Sequence, residues 1–189
     1  MRRVVLLEHV SLDGFAAGLN GEMNWITYDS DVEAYVHTLH SRVDTAIYGR
    51  NTYQMMKSYW PTVLTDPKAA PSALDHARWL DQATKVLVSR TVDHDDWNKS
   101  LVIGRNLAQE VNDLKQQPGQ DLWLIGSIRT AQTFIRLGLV DEYWLNVNPV
   151  ALGQGQSIFA GLESTLKLKL VTATPFKCGV VGLQYVPAE

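Results

Sequence analysis

Thr45-Ala46-Ile47-Tyr48-Gly49-Arg50-Asn51-Thr52-Tyr53 is a short apolar run that stops at a glycine and passes at once into residues suited to the first turn of a helix. A strand feeding a helix through a single glycine is the repeating unit of an α/β sheet. The first N–H groups of such a helix have no partner inside it, and its positive dipole end favours a phosphate. Gly49 permits close backbone approach, Arg50 offers a forked guanidinium, and Asn51 and Thr52 add polar side chains. The same residues also suit a plain glycine turn in which Asn51 or Thr52 only caps the helix.

Outward from this stretch, the pattern recurs. Leu122-Trp123-Leu124-Ile125-Gly126-Ser127-Ile128-Arg129-Thr130 again runs from a buried strand through small residues into a helix start. Two such turns in one open sheet line a crevice beyond the carboxyl ends of the strands, where a pyrophosphate can lie between two helix N-termini. A third strand end, Val88-Ser89-Arg90-Thr91, adds a hydroxyl and a guanidinium suited to an extra phosphate such as the 2′-phosphate of NADP. Taken singly, it reads as a solvated loop.

The remaining elements follow from periodicity. Strands are expected at Val4–Glu8, Thr45–Tyr48, Lys85–Ser89, Leu101–Ile103 and Leu122–Ile125, with helical patterns between them. Val32, Tyr35, Val36, Leu39 and Val43 share one helical stripe, with Ser30 and Glu33 as a capping box. A second helix starts at Asn51-Thr52 and is expected to stop near Tyr59-Trp60, before Pro61. Leu107, Val111 and Leu114 mark another, closed by Pro118-Gly119, and Ile128–Leu137 a further one, ended by Gly138. Beyond it Glu142–Val147, Leu166–Thr174 and Val180–Val186 alternate with period two, which predicts an antiparallel edge. The expectation is one α/β domain over residues 1–189. It has a mostly parallel central sheet, an antiparallel C-terminal edge and helices on both faces.

Composition narrows the function classes. The 189 residues are 46% apolar and 20% charged, as in an ordinary globular protein. A net charge of −3 argues against nucleic-acid binding, which needs a basic face. No apolar run approaches the roughly 20 residues of a membrane span. Arg2-Arg3 followed by Val4–Leu7 is too short for a signal segment before Glu8 and His9 interrupt it, so it is read as the first strand. The lone Cys178 excludes an internal disulfide, is read as a small core residue in a strand, and suits a cytoplasmic setting.

Several segments, in order, carry a resemblance. They are Ser11-Leu12-Asp13-Gly14-Phe15, Glu22-Met23-Asn24-Trp25, Gly49-Arg50-x-Thr52, Ser58-Tyr59-Trp60-Pro61 and Val86-Leu87-Val88-Ser89-Arg90. Gly126-Ser127, Gly138-Leu139-Val140-Asp141-Glu142 and Pro149-Val150-x-Leu152-Gly153-x-Gly155-x-x-x-Phe159 complete the series. Over nearly its whole length the chain resembles the dihydrofolate reductase-like superfamily. Within that superfamily it is similar to the reductase domain of the bifunctional riboflavin-biosynthesis deaminase–reductase. The resemblance implies a three-layer fold, a homodimer and NADPH as hydride donor. It implies that Gly49, Arg50, Asn51 and Thr52 hold phosphates, that Ser89 and Arg90 lie near the 2′-phosphate, and that Gly126, Ser127, Ile128, Arg129 and Thr130 cradle the pyrophosphate. The loop from Ser11 to Ala17, with Phe15, would cover the nicotinamide. The implied activity is reduction of a small heterocyclic or carbonyl substrate, of the riboflavin-precursor (5-amino-6-(5-phosphoribosylamino)uracil) or pterin type.

Hydride transfer asks the protein to align two reactants and to supply a proton. His9, at the end of the first strand, and Asp31, at the start of the first helix, are the candidate proton donors; Asp31 equally suits a helix start. Phe15, Trp25 and Trp60 are the candidate substrate-binding aromatics. His37 and His40 have metal-ligand spacing but no evident third ligand, so no metal is expected. The alternative reading is a nucleotide- or ligand-binding protein that keeps this fold without turnover.

Overall fold

Nearly every residue of the first strand, β1 (Val4–Ser11), is buried. Val4, Leu6 and Val10 join one core cluster, while Val5 and Leu7 join another. A strand covered on both faces is what the middle of a parallel sheet requires. In this computed structural model, which describes residues 1–188, the chain continues through α1 (Ser30–His37) and a 3-10 turn (Thr38–Ser41) to β2 (Val43–Gly49). Then come α2 (Arg50–Val63), α3 (Pro71–Gln82), β3 (Thr84–Val88), β4 (Ser100–Ile103), α4 (Leu107–Gln116), β5 (Asp121–Ile125) and α5 (Ile128–Arg136). The final strands are β6 (Glu142–Asn148), β7 (Leu168–Pro175) and β8 (Val181–Pro187).

All eight strands form one sheet in the order β4-β3-β2-β5-β1-β6-β8-β7. The first six are mutually parallel, and β8 runs antiparallel to both β6 and β7. On one face, Val111 and Leu114 of α4 and Ala131, Phe134 and Ile135 of α5 bury Val4, Leu6, Ile47, Leu122 and Leu124. On the other, Val36 and Leu39 cover Val5, Leu7 and Trp123, while Tyr53 of α2 and Leu80 of α3 cover Ala46, Tyr48 and Leu87. The result is three layers with a parallel sheet and an antiparallel C-terminal edge.

Several boundaries differ from expectation. β1 runs on past Glu8 to Ser11, because hydrogen bonding to β6 continues through His9, Val10 and Ser11 although two of these are polar. The cap of α1 is Asp29, whose carboxylate accepts from the Val32 N–H at 2.9 Å, rather than Ser30. Val43 belongs to β2, since the helical stripe ends in the 3-10 turn. Pro61 lies inside α2, which reaches Val63. So close to the helix end, a proline forfeits one i→i−4 bond with little helix left to disrupt. Helix α3 is an unanticipated element. Pro71 opens it at the position where a missing N–H costs nothing. Cys178 sits partly buried in the turn between β7 and β8, not in a strand. Among the described residues no helix is long and apolar enough to cross a membrane.

Candidate active site

β2, β5 and β1 are neighbours in the sheet, so the turns at their carboxyl ends open on one crevice. Helices α2 and α5 begin there. A methyl group added at Gly49 would run into the hydroxyls of Ser127 and Thr130, so only a glycine lets the two turns touch. The same site brings Thr52 against Gly126, where an added carbon would lie 3.5 Å from the Thr52 methyl. Gly126 (φ +55°) and Ser127 (φ +65°) both take the left-handed conformation, which is uncommon for a serine. That conformation leads into α5, with Ser127 Oγ 2.9 Å from Thr130 Oγ1.

On one side of this junction lies a groove of about 560 Å³ bordered by Ser89, Arg90, Arg105, Arg129, Thr130 and Arg136. Arg105 pairs with Asp93 at 2.6 Å. Arg90, Arg129 and Arg136 have no ion-pair partner among the described residues. Gly104 (φ +139°) makes the groove possible, because a side chain there would strike the Ser89 carbonyl. The groove therefore presents guanidinium groups without carboxylate partners, a lining suited to an anion.

On the other side is a cavity of about 400 Å³ between the sheet and helices α1, α2 and α3. Its wall includes Leu7, Val36, Met56 and Trp60, together with Glu8, His9, Tyr48 and Trp123. Each of the last four carries a buried polar atom with no protein partner: Glu8 Oε1, His9 Nδ1, Tyr48 Oη and Trp123 Nε1. Asn146, beside His9 across the β1–β6 register, has both amide atoms in the same condition. Buried polar atoms are nearly always hydrogen-bonded, so those in the cavity wall are available to a polar ligand or to water.

Burial shifts the titratable groups in a useful direction. It pushes the Glu8 carboxyl up to about 8, so that at neutral pH Glu8 is a protonated acid in the cavity wall. Burial lowers His9 to about 4, leaving a neutral imidazole. Tyr28 packs edge-on against the His9 ring at 5.5 Å. The loop after β1 is held by Asp13, whose carboxylate accepts from the N–H groups of Leu152 and Gly153 and from Ser11 Oγ.

The expected site residues are thus divided. Ser89, Arg90, Arg129 and Thr130 meet in the groove, while Thr52, Gly126, Ser127, His9 and Trp60 border the cavity. Gly49 lies at the junction, and Ile128 packs partly buried against the core. Arg50 and Asn51 are exposed and border neither space. Asp31 is also exposed and borders neither space; Glu33, on the same helix, does line the cavity. Phe15 sits against Gly155, and Trp25 donates its indole N–H to the Glu22 carbonyl, both outside the cavity wall. Glu8, Arg105 and His76 also line these spaces and were not among the residues expected there. Gly104-Arg105-Asn106 repeats the glycine–arginine strand end of Gly49-Arg50-Asn51, and an acid within an otherwise apolar strand marks Glu8. His76 carries no such local signal.

A family model described as the RibD C-terminal domain matches residues 2–182. The chain belongs to that family. Its relatives include the Bacillus subtilis protein YyaP, 38% identical over 186 residues that make up 97% of this chain and 94% of the relative. Among solved structures, a protein of Shewanella sp. PV-4 assigned by its name to riboflavin biosynthesis superposes with a TM-score of 0.75 at 22% identity, covering 99% of each chain. Dihydrofolate reductase of Enterococcus faecalis, solved with NADP(H), superposes with a TM-score of 0.65 at 13% identity over 99% of this chain and 97% of that one. The three-layer sheet is therefore the dihydrofolate reductase-like fold.

Proposed function

We propose that the protein is an NADPH-dependent reductase of a small heterocyclic substrate of riboflavin-precursor (5-amino-6-(5-phosphoribosylamino)uracil) or pterin type. The observation that carries this reading is the meeting of two helix N-termini between an arginine-rich groove and a cavity walled by apolar and unpartnered polar groups. An elongated ligand, anionic in its middle and at one end with a flat apolar ring at the other, matches that sequence of surfaces. When bound, NADPH supplies hydride. Arg90 and Arg105, with Ser89, would hold its 2′-phosphate. Gly126 to Thr130 and the Gly49–Thr52 turn would hold its pyrophosphate. Family membership and the NADP(H) complex of the enterococcal relative support the same reading.

The remaining roles fall to the chain's own side chains. Glu8 holds a proton at the cavity wall, where a substrate nitrogen or oxygen can receive it. His9, neutral and with Nδ1 unpartnered, positions the same substrate by a hydrogen bond. Trp60 offers a flat face, and Leu7 and Val36 keep water out. Asp31, exposed, takes no part in this arrangement.

Following NADPH absorbance against dihydrofolate, riboflavin precursors and small carbonyl compounds tests the reading. Substrate-dependent oxidation is expected with at least one ring compound. Tight NADPH binding without turnover of any of them would favour a ligand-binding protein that keeps the fold.

A further inference from the structure

Away from the strand ends, three histidine rings lie together between the end of α1, the 3-10 turn after it, and α3. His37 closes α1, His40 lies in the 3-10 turn after it, and His76 is a buried residue of α3. One ring nitrogen from each lies within 4.8 Å of the other two. His40 Nε2 and His76 Nδ1 are 3.0 Å apart. Imidazole nitrogens sit about 2.0–2.1 Å from a tetrahedral zinc ion, which sets them about 3.3 Å from one another. One pair thus already has ligand spacing, and the third nitrogen needs a shift of only about 1–1.5 Å to reach it.

The surroundings hold His40 and His76, leaving His37 the ring that moves. Trp79 stacks on His40 at 4.8 Å, and the Trp60 ring lies 4.2 Å from His76. Trp123 approaches His40 and His76 at 5.9 Å and 6.1 Å. Packing on this scale pre-orders a ligand set, which is what a metal site requires of its protein. His37 and His76 both border the 400 Å³ cavity, and so does Glu33, one turn before His37 on α1. A hydrogen bond between His40 and His76 accounts for one contact; His37 stacks on His40 at 4.5 Å and over His76 at 5.7 Å, so its ring must turn as well as shift to join them on a metal.

We infer that His37, His40 and His76 form a binding site for a divalent first-row transition metal ion, with an open coordination position facing the cavity. Three neutral imidazoles and no thiolate suit zinc, cobalt, nickel or copper and disfavour magnesium and calcium. The open position would accept an oxygen or nitrogen of a cavity ligand, or Glu33. This site uses no residue of the groove or of the two helix N-termini, so it holds or fails independently of the reductase proposal.

The test uses the full chain without a polyhistidine tag, titrated with zinc and cobalt by calorimetry and visible absorption. One ion per chain, a dissociation constant of about 10 µM or tighter and a tetrahedral cobalt spectrum are expected. Copper should quench tryptophan fluorescence with the same stoichiometry, given the three indoles around the site. His37→Gln and His76→Gln should each weaken zinc at least about 10-fold, whereas His94→Gln, in an exposed loop, should not. If His76→Gln unfolds the tryptophan-rich layer, the partly exposed His37 still provides the comparison. Zinc binding no tighter than about 1 mM, or binding undiminished by His37→Gln, would overturn the assignment.

Discussion

Glu8 is a carboxyl with no cation beside it, only 8% exposed, on the central strand of the sheet. Its high pKa has a single cause, loss of water on burial. Two predictions concern Glu8. As the proton source, Glu8 gives a rate that falls as pH rises through about 8, and Glu8→Gln should remove that limb while lowering kcat by about 100-fold. A pH–rate profile of both proteins checks this, and an unchanged kcat would remove Glu8 from the chemistry. Stability supplies the second. The folded chain keeps the Glu8 proton up to about 8, whereas the unfolded chain releases it near 4.5. Over that window the folded state binds more protons, so this residue's contribution falls as pH rises. Urea unfolding should therefore show Glu8→Gln gaining on the wild type between pH 5 and pH 8, by a few kcal/mol at most. Comparison with the variant is needed, because burial lowers His9 and gives the opposite slope over part of the range. At the far end of the site, Arg90→Ala should weaken NADPH about 10-fold or more while leaving NADH nearly unchanged, as measured by titration with each cofactor.

At the scale of elements, the contact between the β2–α2 and β5–α5 turns positions the whole site. Gly49→Ala places a methyl group against the hydroxyls of Ser127 and Thr130 and must push the two turns apart. Thermal unfolding and cofactor titration should register a loss of about 1–3 kcal/mol in stability and about 10-fold or more in NADPH affinity. Retention of both would mean that the turns separate without consequence. The parallel strands were readable as short apolar runs, and α4 and α5 because each carries one apolar period with Pro118 or Gly138 just beyond its end. Helix α3 was not, because its buried face uses His76 and Trp79 alongside Ala77 and Leu80, which dilutes the apolar pattern. The sequence-level end of β1 fell short at Glu8 for a related reason. Glu8 and His9 line a cavity and interrupt the apolar run, and local rules fail most readily where function places such groups. Of the arginines expected at the cofactor, Arg90 and Arg129 border the groove and Arg50 does not, while Arg105, which was not expected, does. The third histidine could not be found by spacing, since the fold alone brings residue 76 to residues 37 and 40.

For the whole molecule, the sheet ends on β7, an edge strand whose residues are mostly exposed, with Leu170 and Val171 at 50% and 58% exposure. An uncovered apolar edge invites pairing, and the occupant proposed here is a second copy of the chain, giving a homodimer. Light scattering after size exclusion should show a dimer for the wild type and a shift to monomer for Val171→Lys. A monomeric wild type would contradict it. The central claim, however, concerns the long crevice that runs from the arginine groove past the two helix N-termini into the cavity. Calorimetric titration of the protein with NADPH tests it most directly. Saturable binding of one cofactor per chain at micromolar concentration, tighter than NADH and weakened by Arg90→Ala, is the predicted result; no binding at about 1 mM cofactor would contradict the account.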